Sequence, residues 1–193
     1  MVNAIPERVS IESYVRGKSF KAIAAANKKV NRALCGAALS LGTNIEIIDI
    51  PGYAPHKNAP GMIDVCCEAA ALIMPDVEFI RRDVYGTGST DMGDLSCIMP
   101  IVHPYAGGSC GTAHGKDYEI KDPISACVTN AKWQLGMLFL LLENEARRAR
   151  SVIEGFTPEF ASKEEFLAYV DALNDSGDRI VYGEDGTATV RYE

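Results

Sequence analysis

The stretch "SFKAIAAANKKVNRALCGAALSLGTNIEIIDI", residues 19–50, predicts a helix followed by a strand. Ser19 is a favoured N-cap residue, and Gly42 stands where helices commonly end in a left-handed residue. Between them, apolar side chains recur at steps typical of one helix face, at Phe20, Ile23, Val30, Leu34, Ala38 and Leu41. The apolar run in residues 43–50 then predicts a strand.

In the segment before this helix, apolar and polar side chains alternate with a period of two. In "VSIESYVR" (9–16), Val9, Ile11 and Val15 share one face, and Arg16 lies on the opposite, polar face. This pattern predicts a half-buried strand. Residues 1–50 therefore predict strand–helix–strand, the size of half of a small α+β sandwich.

The segment after residue 50 is the clearest linker in the chain. "PGYAPHKNAPG" (51–61) holds three prolines and two glycines. We place the linker at 51–60, with a helix from about Pro60 to Met74, where proline suits the first helical position.

The rest of the chain predicts a mixture of strands and helices. We expect strands at "VEFIRRDV" (77–84) and "SCIMPIVH" (96–103), a loop at 104–122, and a long helix from Asp122-Pro123 to about 154 that carries a Glu143–Arg147 pair. Residues 156–193 predict a helix and hairpin extension. The helix begins with a capping box at Ser162 and Glu165, and the hairpin turns at Asp185-Gly186.

Composition excludes several classes of protein. The chain has 193 residues, 47% hydrophobic content and a formal net charge of −7, without a Lys/Arg-rich run, so we expect no nucleic-acid partner. We also expect no membrane partner, since the longest apolar run, residues 135–142, is far below the roughly 20 residues of a membrane helix. The start of the chain has no apolar segment typical of a secretory signal. Six irregularly spaced cysteines indicate reduced thiols and a cytoplasmic location.

The candidate functional loop is "GTGSTDMGDLS" (86–96). It lacks the third glycine of a dinucleotide loop, the Gly-Lys-Ser/Thr of a phosphate loop and the setting of a nucleophile elbow. Flexible backbone beside the Ser89 and Thr90 hydroxyls suits a carboxylate or a developing oxyanion. A plain surface turn is the alternative. The residue spacing does not distinguish a ligand-binding loop from such a turn.

The three histidines differ in their surroundings. We expect His56, in the linker, to be solvated, and His103, at the end of an apolar strand, to be structural. His114 lies in a loop of small residues, "SCGTAHGKD", where it can reach a ligand. One histidine does not make a zinc site, which takes three or four protein ligands.

The order of these pieces resembles the C-terminal half of the di-zinc amidohydrolases of peptidase family M-twenty. The segments that carry the resemblance are "VNAIPERVSIESYVRG", "GTGSTDMGDLSCIMPIVHPY" and His114 before a long helix. The sequences of these segments are most similar to those of aminoacylases and aminobenzoyl-glutamate hydrolases. The resemblance covers residues 1 to about 155. It implies that 1–50 are the second half of a lid that dimerises, and 61–155 the C-terminal part of an α/β zinc-hydrolase domain.

The resemblance also implies roles for individual residues. Asn3 and Arg16 match substrate-binding residues of the lid, and Arg16 would bind the substrate carboxylate. Gly88, Ser89 and Thr90 match the loop that closes over the substrate. His114 matches the last zinc ligand, although Gly115 stands where the family usually has Thr or Ser.

The family's other metal ligands, its general base and its lid histidine have no counterpart in the sequence, since they lie upstream in the family. We therefore expect either a piece of a longer protein or the product of a truncated gene. The expected function is one portion of an enzyme that uses two zinc ions to hydrolyse an amide bond in an N-acyl amino acid or dipeptide-like substrate. The chain alone should be inactive and hold no zinc tightly. A non-catalytic dimerisation or small-carboxylate-binding module is the alternative, and a cysteine-dependent enzyme is a third.

Overall fold

A computed structural model describes residues 3–77, 79 and 88–192. In chain order its elements are α1 (Phe20–Ser40), β1 (Glu46–Asp49), α2 (Pro60–Ile73), α3 (Met92–Ser96), β2 (Ser109–Cys110), β3 (Glu119–Ile120), a π-helix (Ile124–Thr129), α4 (Asn130–Glu154), α5 (Lys163–Asp171), β4 (Asp175–Asp178), β5 (Ile180–Tyr182) and β6 (Ala188–Val190). The strands form three antiparallel pairs, β1–β4, β2–β3 and β5–β6. Helices with small antiparallel sheets confirm the predicted mixed α/β class.

The chain divides into two compact units. The first combines Met1–Asp49 with Asp175–Glu193, and the second is Ile50–Asn174. The division into lid, linker and catalytic domain stays a prediction.

Helix α1 of the first unit begins and ends as predicted. The Ser19 hydroxyl accepts a hydrogen bond from the Ala22 N–H at its start. At its end, Gly42 has φ +66°. The N–H of Gly42 donates to the Leu39 carbonyl, and that of Thr43 to the Ala38 carbonyl. These two bonds form a Schellman motif, in which glycine adopts the left-handed conformation without the usual steric cost.

Strand β1, predicted within 43–50, pairs with β4 from the far end of the chain. Asp49 lies opposite Asp175 in the register. The Asn27 and Asn31 side chains of α1 both donate to Asp49 Oδ2, at 2.8 and 2.7 Å. The buried Arg179 forms a salt bridge with Asp175. Each of the two facing carboxylates therefore has its own donors.

The predicted strand at 9–16 is wrong. These residues have no strand assignment, and the Val9, Ile11 and Tyr14 side chains are 71%, 76% and 83% exposed. A period of two marks two faces of an extended segment, but a strand also needs a partner for its N–H and C=O groups. No described residue pairs with this segment in a ladder.

The second unit is built on the packing of α2 against α4. Its core consists of Val65, Cys66, Ala69, Ala70, Trp133, Leu140 and Val152. The Trp133 Nε1–H donates to the Cys66 carbonyl at 2.8 Å, so the buried indole is satisfied. Helix α2 has Pro60 at its N-terminus, as predicted.

Several predictions for the second unit need correction. The predicted strand 96–103 is absent, because α3 takes its first residue and a helix-type bond from the Met99 N–H to the Leu95 carbonyl extends the turn to Met99. The predicted loop 104–122 contains the β2–β3 hairpin. Most of the predicted strand 77–84 lies outside the described residues.

The long helix predicted from Asp122 is interrupted. It starts with a π-helix, and residues 143–146 have non-helical backbone angles. Glu143 and Arg147 are therefore not one turn apart on a continuous helix, and the predicted pair is wrong. The tail follows its prediction. Ser162 and Glu165 cap α5, and β5–β6 turns at Gly186, which has φ +79°.

Candidate functional site

The candidate substrate loop runs directly into α3. The Thr90 hydroxyl donates to Asp91 Oδ1 at 2.9 Å, and the Thr90 carbonyl accepts from the Gly93 N–H at 2.9 Å. A Cβ added to Gly88 would meet no atom within 4 Å, so the backbone there lies open to close approach. We expected a strand after this loop, and the structure has a helical turn instead. Gly86, also part of the predicted motif, lies outside the described residues.

Helix α3 is fixed to the segment 54–58 of the proline-rich region. A Cβ on the buried Gly93 would lie 2.0 Å from the Ala54 carbonyl oxygen, so only glycine permits this approach. The Ala54 N–H donates to Asp94 Oδ1 at 2.7 Å, and the Lys57 N–H donates to Ser96 Oγ at 3.3 Å. The loop at 88–90 therefore leads into a rigidly attached turn.

This attachment was not predicted from the sequence. No sequence pattern indicated a structural partner for Asp94. The available signal was Gly93 itself, between Met92 and Asp94, since an isolated glycine inside a structured segment can mark close backbone approach. Nothing in the sequence identifies residue 54 as its partner.

His114 lies in the tight turn between β2 and β3. Its φ is +62°, a conformation that few residues other than glycine adopt, and its side chain is exposed. The turn is closed by the Gly115 N–H, which donates to the Thr112 carbonyl, and by Asp117, whose carboxylate accepts from Thr112. This placement leaves the imidazole accessible to a ligand.

His56 is not solvated as expected. Its ring packs edge-on against His103, with centroids 5.5 Å apart, and its Nε2 atom is buried. Burial first, and then the neighbouring His103, lower the pKa of His56 below its ordinary value of 6.5, while a hydrogen bond with Asn58 acts the other way. His103 also packs against Tyr105, at 5.8 Å, so both rings belong to one aromatic cluster.

Asn3 and Arg16 lie in the first unit, outside its helices and strands. Asn3 and Arg16 are both exposed. The Arg16 guanidinium carbon lies 5.3 Å from the centroid of the Tyr14 ring, a cation–π distance. The predicted alternation, with Arg16 and Tyr14 on one side, therefore survives in this contact although the strand does not form.

The residues present do not make a complete metal centre. Among the described residues, no group of three or more His, Cys, Asp or Glu side chains is arranged to hold a metal ion. His114 supplies one side chain of the kind that zinc prefers, whereas a zinc site takes three or four from protein. The described chain thus does not fit the full zinc site that the resemblance implies.

Three of the six cysteines are poorly suited to nucleophilic catalysis. All six are free thiols. Burial raises the pKa of Cys66 and of Cys97 to about 11 and also raises the pKa of Cys35, so these thiols stay protonated at neutral pH. The thiolate is the nucleophilic form, so these three lack the reactive state.

Comparisons with known proteins give a partial match. The chain is 30% identical to the human Xaa-Arg dipeptidase over 110 residues, which cover 53% of the chain and 24% of that relative. The Xaa-Arg dipeptidase of Mus musculus is 29% identical over the same length. The matched stretch spans about a quarter of these curated relatives.

No family model matches the chain, and no solved structure matches it. Within the described part of the chain, no helix has the length and apolar character needed to span a membrane. Half of the chain is thus similar to a dipeptidase, in agreement with the peptidase resemblance of its motifs.

Proposed function

We propose that this chain is the C-terminal, substrate-binding portion of a metal-dependent amidohydrolase or peptidase. The intact enzyme would hydrolyse an amide bond in an N-acyl amino acid or a dipeptide-like substrate. The observation that supports this most is the similarity of 110 residues to the Xaa-Arg dipeptidases, which agrees with the order of the motifs.

The proposed role of Arg16 follows from its chemistry. A guanidinium presents paired N–H donors that match the two oxygens of a carboxylate, and a lysine ammonium cannot reproduce that geometry. Arg16 would therefore bind the free carboxylate of the substrate, with Asn3 nearer the scissile group. The contact with the Tyr14 ring supports this role, because it limits the directions in which the guanidinium can point.

The loop 88–90 would approach the substrate through its backbone. Gly88 has open space around it, and the Thr90 hydroxyl is engaged by Asp91. Attachment of α3 to residues 54–58 would keep this loop in place, which reduces the entropy lost on binding.

His114 is the residue of this chain that we propose as a metal ligand. Two zinc ions in the intact enzyme would polarise the scissile carbonyl and activate water, and His114 would hold one of them. Because the described residues offer no set of three ligands, we expect the isolated chain neither to bind zinc tightly nor to hydrolyse amides. We also propose that residues 1–50 form a homodimer, which sedimentation velocity would test.

The experiment follows backbone amide signals by NMR while a dipeptide ending in arginine is added to the chain. We expect saturable shifts at residues 88–91 and at Arg16, and none with the same dipeptide capped as its C-terminal amide. Arg16→Lys should weaken binding about 5- to 160-fold, since losing a charge-assisted bidentate contact costs about 1–3 kcal/mol. Arg8→Lys is the matched control, because Arg8 lies on the same segment and pairs with the exposed Glu46.

Equal shifts with the capped and uncapped dipeptides would contradict carboxylate recognition. The alternative, a module that binds a small carboxylate without hydrolysing it, predicts that simple carboxylates such as acetate bind as well as the dipeptide. A preference for the dipeptide would favour the enzyme portion.

A further inference from the structure

The contact between His56 and His103 has no role in the proposed function. The two ring planes are nearly perpendicular, at 87°, with centroids 5.5 Å apart. His56 Nε2 is buried, and no described residue forms a hydrogen bond with it. A neutral imidazole can keep one nitrogen buried without a hydrogen bond. A protonated imidazole must instead bury a charged N–H donor that has no acceptor.

Residues on both sides of His56 fasten this segment to the rest of the second unit. The Ala54 and Lys57 N–H groups bond to Asp94 and Ser96 of α3. Asn58 Oδ1 accepts from the His103 N–H at 2.8 Å. We call residues 54–58 the histidine segment. Its backbone is held against α3, and its Asn58 side chain is held against residue 103. Displacing the His56 ring would therefore strain all three hydrogen bonds.

Burial and the neighbouring His103 outweigh the hydrogen bond with Asn58, so a cation at His56 is disfavoured. The Asp94 carboxylate is occupied by the Ala54 N–H, and Glu159 pairs with Lys57. From the 101–105 segment, His103 faces the His56 ring and Tyr105 lies beyond it. Protonated His56 would therefore face a second imidazole, which repels it once that ring is also charged.

We propose that the His56–His103 contact is a pH-sensitive latch. In neutral solution it keeps the histidine segment on α3, and protonation of His56 in mildly acidic solution releases the segment. Because α3 follows directly on the loop 88–90, release would also free that loop.

The direction of the pH effect follows from burial and from His103. Both lower the pKa of His56 in the folded chain below its ordinary 6.5. The unfolded or released state therefore binds the proton more readily than the closed state. The latch's contribution to stability is complete above pH 6.5 and is lost as the pH falls from 6.5 to the lower pKa of the closed state.

The test is an NMR titration combined with amide hydrogen exchange. The sequence has three histidines, so single substitutions assign all three imidazole signals. We expect His56 to titrate below the ordinary histidine pKa of 6.5. Opening at Ala54 and Lys57, corrected for intrinsic exchange rates, should rise by up to about tenfold per pH unit below 6.5. His56→Phe should remove this rise, and His114→Gln, the matched control, should retain it.

Two results would overturn the latch. One is His56 titrating at or above pH 6.5, which is measured on the otherwise unaltered chain. The other is an equal rise in opening in His56→Phe and in the unaltered chain. His103→Phe gives a second check, because removing the neighbouring charge should raise the pH at which His56 titrates.

Discussion

Substitution of Gly93 by alanine tests the attachment of α3 to the histidine segment. The added Cβ would lie 2.0 Å from the Ala54 carbonyl oxygen and 2.9 Å from its carbon. Both are backbone atoms that cannot rotate away, so the two segments must separate by roughly 1–2 Å to reach van der Waals contact. We therefore expect the close approach to be lost.

The magnitude of the effect has two parts. Forcing an extra methyl group into a packed position costs about 1–3 kcal/mol. The separation also stretches the bonds from the Ala54 and Lys57 N–H groups, which are 2.7 and 3.3 Å long. Their loss adds about 1 kcal/mol each. The free energy of unfolding of the second unit should fall by about 3–5 kcal/mol.

The assay is urea unfolding followed by fluorescence of Trp133. It is the sole tryptophan of the chain and lies in the core of the second unit, so its signal reports that unit. Gly52→Ala is the matched control, because a Cβ at Gly52, in the same unit, meets no atom within 4 Å. A Gly93→Ala variant within about 0.5 kcal/mol of this control would refute the reasoning, since that is the usual range of neutral surface substitutions.

Three further predictions concern other parts of the chain. Ser162→Ala removes the hydroxyl that caps α5 and should lower the free energy of unfolding by about 1 kcal/mol in urea titrations, and an unchanged midpoint would contradict the cap. Asp175→Asn leaves the buried Arg179 without its carboxylate and should lower the melting temperature of the first unit by circular dichroism, more than Glu184→Gln does in the exposed turn between β5 and β6. Calorimetric titration with zinc should show no stoichiometric binding at submicromolar affinity. Such binding, if it is lost in His114→Gln, would contradict this prediction and would mean that further side chains bind zinc together with His114.

Helix ends were the features most readily predicted from the sequence. Ser19, Gly42, Pro60 and the Ser162–Glu165 box each act within one turn of their own position, so a short window contains all the information. The hairpin at Gly186 was predicted for the same reason. Local steric preferences and local hydrogen bonds are encoded where they act.

Features that depend on distant partners were not predicted. Alternation at 9–16 indicated a strand, but no periodicity shows whether a partner strand lies beside it. The apolar run at 96–103 was ambiguous between strand and helical turn, as short runs are. Bonds between residues 54–58 and α3 join segments about 40 positions apart, so the linker composition gave no sign of them.

The candidate site was predicted only in part. Gly88, Ser89, Thr90 and His114 were identified by motif order, which records sequence without geometry. The contact of His56 with His103 could not be found in this way, because no motif links these two positions. Burial of His56 Nε2 results from tertiary packing of the second unit.

Pairing of β1 with β4 gives the first unit a particular dependence on the direction of synthesis. Residues 46–49 leave the ribosome well before residues 175–178, and the whole second unit is made in between. During that interval the β1 edge carries unpaired N–H and C=O groups, which are a template for association with other chains. The second unit can fold first, as a continuous segment, whereas the first unit closes only when its last strands have been translated. Nascent chains that stall before Asp175 would therefore expose the β1 edge and depend most on chaperones.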